Sequence, residues 1–157
     1  MIGKGVARGK YTLKNPGKYA GTKTPIYRSS WEWAFMQFCD NNPSVIGWAS
    51  EAVRIPYKNP LTGKRTTYVP DFFVQYQDAK GKKRSEVIEI KPSNQTTLEN
   101  ARSTGQKVQT AINAAKWTSA QEWCQRKGIR FKVINEDQIF RNNKPRKPKR
   151  RVAKKRK

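Results

Sequence analysis

Two stretches of this chain carry apolar residues at helical spacing, and four carry the β-branched and aromatic runs of strands. Trp31, Ala34, Phe35 and Phe38 recur at i, i+3, i+4 and i+7, which predicts a helix from Ser29 or Ser30 to about Asp40. Asn41-Asn42-Pro43 stops it. Val45 to Trp48 reads as a short linker or strand, and Ala52 to Tyr57 as a strand ending in the turn Asn59-Pro60-Leu61-Thr62-Gly63. A long strand follows from about Arg65 to Gln77, and its partner from Arg84 to Lys91. Pro92 ends that partner, because proline cannot donate to a ladder. A second helix is predicted over Gln106–Lys127, with Val108, Ala111, Ile112, Ala115, Ser119 and Trp123 inward and Gly128 as its stop. Ile129 to Ile134 alternates as a last strand, and Glu136 to Phe140 adds a turn. The order of elements gives an α/β fold: a small mixed β-sheet flanked by helices.

Charge divides the chain. It carries 34 Lys+Arg against 11 Asp+Glu, a formal net charge of +23. Residues 1–28 hold 7 basic residues and residues 141–157 hold 11, with no acid in either segment. The middle keeps 16 basic residues against all 11 acidic ones. The organisation expected is therefore a basic N-terminal arm (1–28), extended over residues 1–27, a globular core (29–140) and a basic, disordered tail (141–157). Pro145 and Pro148 argue against a continuous helix in the tail. Such an excess of cations fits a polyanion, most often nucleic acid. The tail residues expected to contact phosphate are Lys144, Arg146, Lys147, Lys149, Arg150, Arg151, Lys154, Lys155, Arg156 and Lys157.

Composition also excludes some chemistry. The chain has no histidine, so imidazole general bases and histidine zinc ligands are ruled out. Cys39 and Cys124 lie in apolar helical patterns and read as small buried hydrophobes rather than as a disulfide or metal pair. No segment is long and apolar enough for a membrane span or a signal peptide. A soluble, reducing compartment is the expectation.

The candidate chemistry lies in one hairpin. Asp71 in Tyr68-Val69-Pro70-Asp71-Phe72-Phe73-Val74 and Glu89 in Val87-Ile88-Glu89-Ile90-Lys91 are equidistant from Lys80, within the polar turn Asp78–Lys83. An antiparallel register about Lys80 sets the two carboxylates opposite each other, at the ~5 Å Cβ separation of cross-strand pairs. They repel unless a cation lies between them. Lys91 follows Glu89 by two residues and shares its face, whereas Glu86 faces the other way. The competing readings are structural: an aspartate at a strand kink, or an ion pair of Lys91 with Glu89 or Asp71. Glu32 also has two readings. Ser29-x-x-Glu32 fits a capping box, yet Glu32 stands between two tryptophans on an apolar helix and suits a ligand near the core. Lys116 and Gln106 read best as a solvated helix face, though both are placed to reach the cleft.

Pro70-Asp71 followed by Glu89-Ile90-Lys91 resembles the signature of the PD-(D/E)xK nuclease superfamily, and the helix bearing Glu32 resembles that superfamily's first helix. The order of elements over 29–140 is similar to its restriction-endonuclease-like core. Asn15-Pro16-Gly17-Lys18-Tyr19, Tyr27-Arg28-Ser29-Ser30-Trp31-Glu32 and Glu89-Ile90-Lys91-Pro92 resemble the head-completion nuclease-like proteins of T-even-type contractile phages. They also resemble the end-cleaving endonuclease subunits of heteromeric transposons, and the small size favours the phage group.

The resemblance implies DNA phosphodiester hydrolysis with Mg²⁺ or Mn²⁺. Asp71, Glu89 and the Ile90 carbonyl would hold the metal, Glu32 would complete the site or bind a second ion, and Lys91 would orient or deprotonate the attacking water or stabilise the developing charge. It further implies double-stranded DNA as substrate, phage portal or neck proteins as partners, and a place in the head–neck region of the virion and in the host cytoplasm during assembly. Two other classes compete: a virion structural protein that keeps the nuclease fold with little activity, and a pure DNA-binding module.

Overall fold

The computed structural model describes residues 8–91 and 103–135. Its centre is a sheet of β3 (Val45–Ser50), β6 (Phe72–Gln77), β7 (Lys83–Ile90) and β8 (Arg130–Ile134), in that spatial order. β3, β6 and β7 are antiparallel, and β8 returns parallel to β7 after a long helix. The expected register holds. Phe72 pairs with Ile88 and Gln77 with Lys83, every pair centred on Lys80. Asp78 builds the turn: its Oδ1 accepts the N–H groups of Lys80 (2.9 Å) and Lys82 (3.0 Å), and its Oδ2 accepts Arg84 Nε at 3.0 Å. Gly81 takes the positive φ of 80° that closes the turn.

The strand expected over Arg65–Gln77 is two strands. Pro70 lacks the N–H that a continuous ladder needs, and the chain breaks there. β5 (Arg65–Tyr68) pairs with β4 (Ile55–Lys58) in a separate hairpin, while β6 enters the main sheet. Val45–Trp48, read as a linker or strand, lies in β3, an edge strand of that sheet that runs on to Ser50, with Trp48 opposite Val74 and wholly buried.

One helix covers each face. α1 (Ser30–Asn41) packs Phe35, Met36 and Cys39 on Phe72, Val74, Ile88 and Ile90. Trp31 and Phe38 are only half-buried, so the stripe is centred further round the helix than their spacing suggests. α2 (Thr104–Arg126) and the β4–β5 hairpin cover the opposite face, around Val87, Ala120, Cys124 and Phe131. Ile112, Ala115 and Trp123 contribute as expected, but the fully buried line of α2 runs through Thr110, Asn113, Ala120 and Cys124. Small residues let the helix approach closely, and the polar ones bond within the helix: Thr110 Oγ1 donates to the Gln106 carbonyl (2.7 Å), and Asn113 Oδ1 accepts Gln109 Nε2 (3.1 Å), while Asn113 Nδ2 is buried without a partner. Ser103 and Gln106 form a capping box, and Gly128, at φ 72°, follows the helix end. Both cysteines are buried and free.

The expectation of an extended stretch before the first helix fails from residue 8 onward. β1 (Gly9–Lys10) pairs with β2 (Ile26–Tyr27), and the intervening chain folds over the end of α1. The anchor is Asp40, which is fully buried. Its carboxylate accepts Tyr11 O–H at 2.8 Å, Lys14 N–H at 2.8 Å and Asn15 N–H at 2.9 Å. Burial pushes the Asp40 carboxyl up, but these donors outweigh it and hold it below its ordinary value. Tyr19 stacks edge-on against Trp48, centroids 4.7 Å apart. Glu136–Phe140 and the tail 141–157 lie outside the described residues. Among the described residues no helix is long and apolar enough to cross a membrane.

Candidate active site

Asp71 stands where the chain turns into β6, and Glu89 lies on β7 on the face covered by α2. Asp71 Oδ2 accepts the Ile90 N–H at 2.8 Å, which fixes the carboxylate across the sheet from Glu89. Glu89 is buried. Its Oε1 accepts the hydroxyl of Tyr68 at 2.8 Å, and its Oε2 lies 3.9 Å from Lys91 Nζ. Lys91 is positioned by its own N–H, which donates to the Ile134 carbonyl at 3.0 Å.

The electrostatics follow from crowding like charges in a partly dry cleft. Burial raises the Asp71 carboxyl well above the ordinary range, the facing Glu89 and Glu32 raise it further, and the Ile90 N–H and Lys91 oppose them. Glu89 is also raised by burial, against the pull of the Tyr68 hydroxyl, Lys91 and Lys116. Glu32 rises for the same first reason, moderated by Arg28 and Lys91. The four residues predicted from sequence therefore form one electrostatic cluster.

Glu32 splits its two readings. Ser29 Oγ accepts the Glu32 N–H at 3.1 Å, as a cap should, but Glu32 Oε1 takes the N–H of Arg28 at 3.0 Å rather than that of Ser29. Glu32 thus helps to start α1, and its charge reaches Asp71. Among the described residues no three carboxylate or thiolate side chains converge closely enough to bind one metal ion together.

Gln106 is engaged by the capping box at the start of α2. Lys116, read as a solvated face, instead turns inward over the rings of Tyr68 and Tyr57. Sequence reasoning missed Tyr68, Arg28 and Glu51. The guanidinium of Arg28 pairs with the Glu51 carboxylate, and the Glu51 N–H donates to the Asp71 carbonyl at 2.9 Å. Glu51 holds the left-handed conformation, φ 53°, that a side chain ordinarily avoids. The break at Pro70 was the available signal for Tyr68, since it frees the preceding strand to fold over Glu89. Glu86 is buried on the α1 face against Tyr76 (2.6 Å) and Lys132 (3.3 Å), apart from this cluster.

A four-stranded mixed sheet between two helices, with Asp and Glu-x-Lys on facing strands, defines a nuclease of the restriction-endonuclease-like class. Residues 42–136 match the TnsA-like endonuclease N-terminal family, and the chain belongs to that family. It is also similar to the head completion nuclease of Enterobacteria phage T4, at 34% identity over 137 residues, covering 82% of this chain and 91% of that protein.

Proposed function

We propose that this protein is a metal-dependent DNA endonuclease that acts at phage head completion, on packaged DNA ends at the portal or neck. The similarity to a head completion nuclease over nearly the whole of that relative supports the setting. The observation that carries the chemistry is the pairing of Asp71 with Glu89. Burial pushes both carboxyls toward their protonated forms, and Glu89 pushes Asp71 further, so a cation between them relieves an existing cost.

The donor set fits Mg²⁺ or Mn²⁺: hard oxygen ligands with no histidine or thiolate nearby. Asp71 and Glu89 would hold the ion, with the Ile90 carbonyl as a backbone ligand and Glu32 bracing Asp71 or binding a second ion. When bound, the ion polarises the scissile phosphate and acidifies a water. The Tyr68 hydroxyl favours the ionised form of Glu89 and orients it. Lys91, beside Glu89, would orient or deprotonate the attacking water, or stabilise charge on the phosphate. Lys144, Arg146, Lys147 and the other tail cations would contact phosphates without reading bases, giving salt-sensitive, sequence-tolerant binding to double-stranded DNA.

The test is incubation of supercoiled DNA with the purified protein and Mg²⁺ or Mn²⁺. Nicking or linearisation is expected, and its loss in Asp71→Ala and Glu89→Ala. Full activity in either variant overturns the assignment. Specific DNA binding without cleavage in either metal would favour a structural role in the virion.

A further inference from the structure

The site sets negative charge before a polyanion. Glu89 and Glu32 both act on Asp71, and two of the nearby cations are engaged by carboxylates. Lys91 lies against Glu89, and the Arg28 guanidinium is bound by Glu51. Lys116 differs. It projects from the middle of α2, is half-buried, and among the described residues has no carboxylate oxygen within the 4.0 Å of an ion pair. Its ammonium lies 5.5 Å from the Tyr68 ring centroid and 6.0 Å from that of Tyr57.

A lysine on a helix face ordinarily extends its charge into water. Here two aromatic faces draw it inward, an attraction that leaves the ammonium donors uncommitted. The platform is part of the site, because the Tyr68 hydroxyl is the group that holds Glu89 Oε1. The charge of Lys116 reaches the same carboxylate. Lys91 and Lys116 thus act on Glu89 from two elements, β7 and α2, with Lys116 the one left without a carboxylate partner.

We propose that Lys116 is a substrate-binding residue of the cleft, whose ammonium, seated on Tyr57 and Tyr68, receives a DNA backbone phosphate next to the one that is cut. The identity of the anion rests on the nuclease reading given above. The contact explains how an acidic centre tolerates a phosphodiester at close range: a second cation stands on α2 near Glu89.

The experiment measures binding of the full-length protein to a labelled duplex in EDTA across a range of KCl, so that no metal or cleavage enters. Lys116→Met keeps the apolar stem and the ring contact, and Lys116→Arg keeps the charge. The methionine variant should bind several-fold more weakly and lower the slope of log K against log[salt] by about 1, the effect of one phosphate contact. The arginine variant should retain the slope. An unchanged slope in Lys116→Met overturns the proposal, whatever happens to its melting temperature, and leaves Lys116 as a brace between α2 and the β4–β5 hairpin. Should methionine unfold the chain, Lys116→Gln gives the same reading. Cleavage by the unaltered protein in Mn²⁺ tests the nuclease reading separately: a chain that loses the slope but never cuts keeps the contact and forfeits the catalysis.

Discussion

Asp71 Oδ2 accepts the Ile90 N–H at 2.8 Å, so the carboxylate facing Glu89 is held by the backbone of the strand that carries Glu89. The interaction fixes Asp71 in place against repulsion it would otherwise relieve by swinging away. Asp71→Asn retains an acceptor for Ile90 and removes the charge. Cleavage should fall by at least ~100-fold, as expected when a group that acts in the transition state is lost. The metal-free variant should be as stable as the parent or more so, by up to ~1 kcal/mol, because a buried like-charge pair is gone. Thermal unfolding in EDTA beside a plasmid cleavage assay checks both; marked destabilisation would mean that Asp71 is chiefly structural.

A divalent cation should raise the melting temperature, and the rise should depend on pH. Binding to the folded state alone stabilises by RT ln(1 + [L]/Kd), about 2.7 kcal/mol at a hundredfold excess over Kd. The folded-state carboxyls of Asp71 and Glu89 are raised, so without metal the pair contributes most to stability when protonated, and this is lost as pH rises through the raised values. Metal binding has the opposite sign, since it needs the ionised forms. Scanning fluorimetry with Mn²⁺ should therefore show a shift that fades on acidification at a pH above the ordinary carboxylate range. The double variant Asp71→Asn, Glu89→Gln should show none.

What the sequence revealed was the part governed by local rules. The placement of Asp71, Glu89 and Lys91 follows from strand period and turn symmetry, and both hold because Asp78 and Gly81 build the turn around Lys80. What it concealed depends on contacts distant along the chain. Residues 8–27 read as an extended arm because they lack periodicity, yet β1 pairs with β2, and a carboxylate on α1, Asp40, holds Tyr11, Lys14 and Asn15. The buried line of α2 was misplaced because it uses Thr110 and Asn113, which no apolar pattern marks. Lys116 was assigned to solvent for the same reason: nothing in the helix itself announces the tyrosines of a hairpin 48 to 59 residues earlier.

Tyr68→Phe isolates the support beneath Glu89. The tyrosine is buried, and its hydroxyl donates to Glu89 Oε1 at 2.8 Å. Its own titration is pushed far up by burial and by Glu89, so it remains a donor at any working pH. Without it, Glu89 loses a bond that favours its ionised form. Loss of a hydrogen bond to a charged group costs about 1.5–3 kcal/mol. Activity should fall by about tenfold or more at neutral pH, with the acid limb of the pH–rate profile displaced upward. A fall in rate with no displacement of the limb would mean that the hydroxyl serves another purpose.

Asp40→Ala should be a stability variant. It strands the donors of Tyr11, Lys14 and Asn15 in a buried site, a loss of about 3 kcal/mol by denaturant unfolding. The Asp40 carboxyl titrates below its ordinary value. Its contribution is therefore present above the unfolded-state value and lost as pH falls through the folded one. The parent should lose stability below about pH 4, and the variant should lose less over the same interval. Parallel curves for the two proteins would show that Asp40 is not the group titrating.

Removal of residues 141–157 separates affinity from catalysis. The segment holds 11 Lys and Arg and no acid, whereas the carboxylates proposed for catalysis lie within residues 32–89. Each phosphate contact adds about 0.9 to the slope of log K against log[salt] on duplex DNA. The truncated protein should bind DNA more weakly, with a slope lower by several units, and should melt at the same temperature as the parent. At low salt and saturating DNA its cleavage rate should approach that of the full chain, because the tail supplies encounter and retention rather than chemistry. A cleavage rate that stays depressed at saturation would place part of the tail in the cleft, while an unchanged slope would move the phosphate contacts onto the folded core.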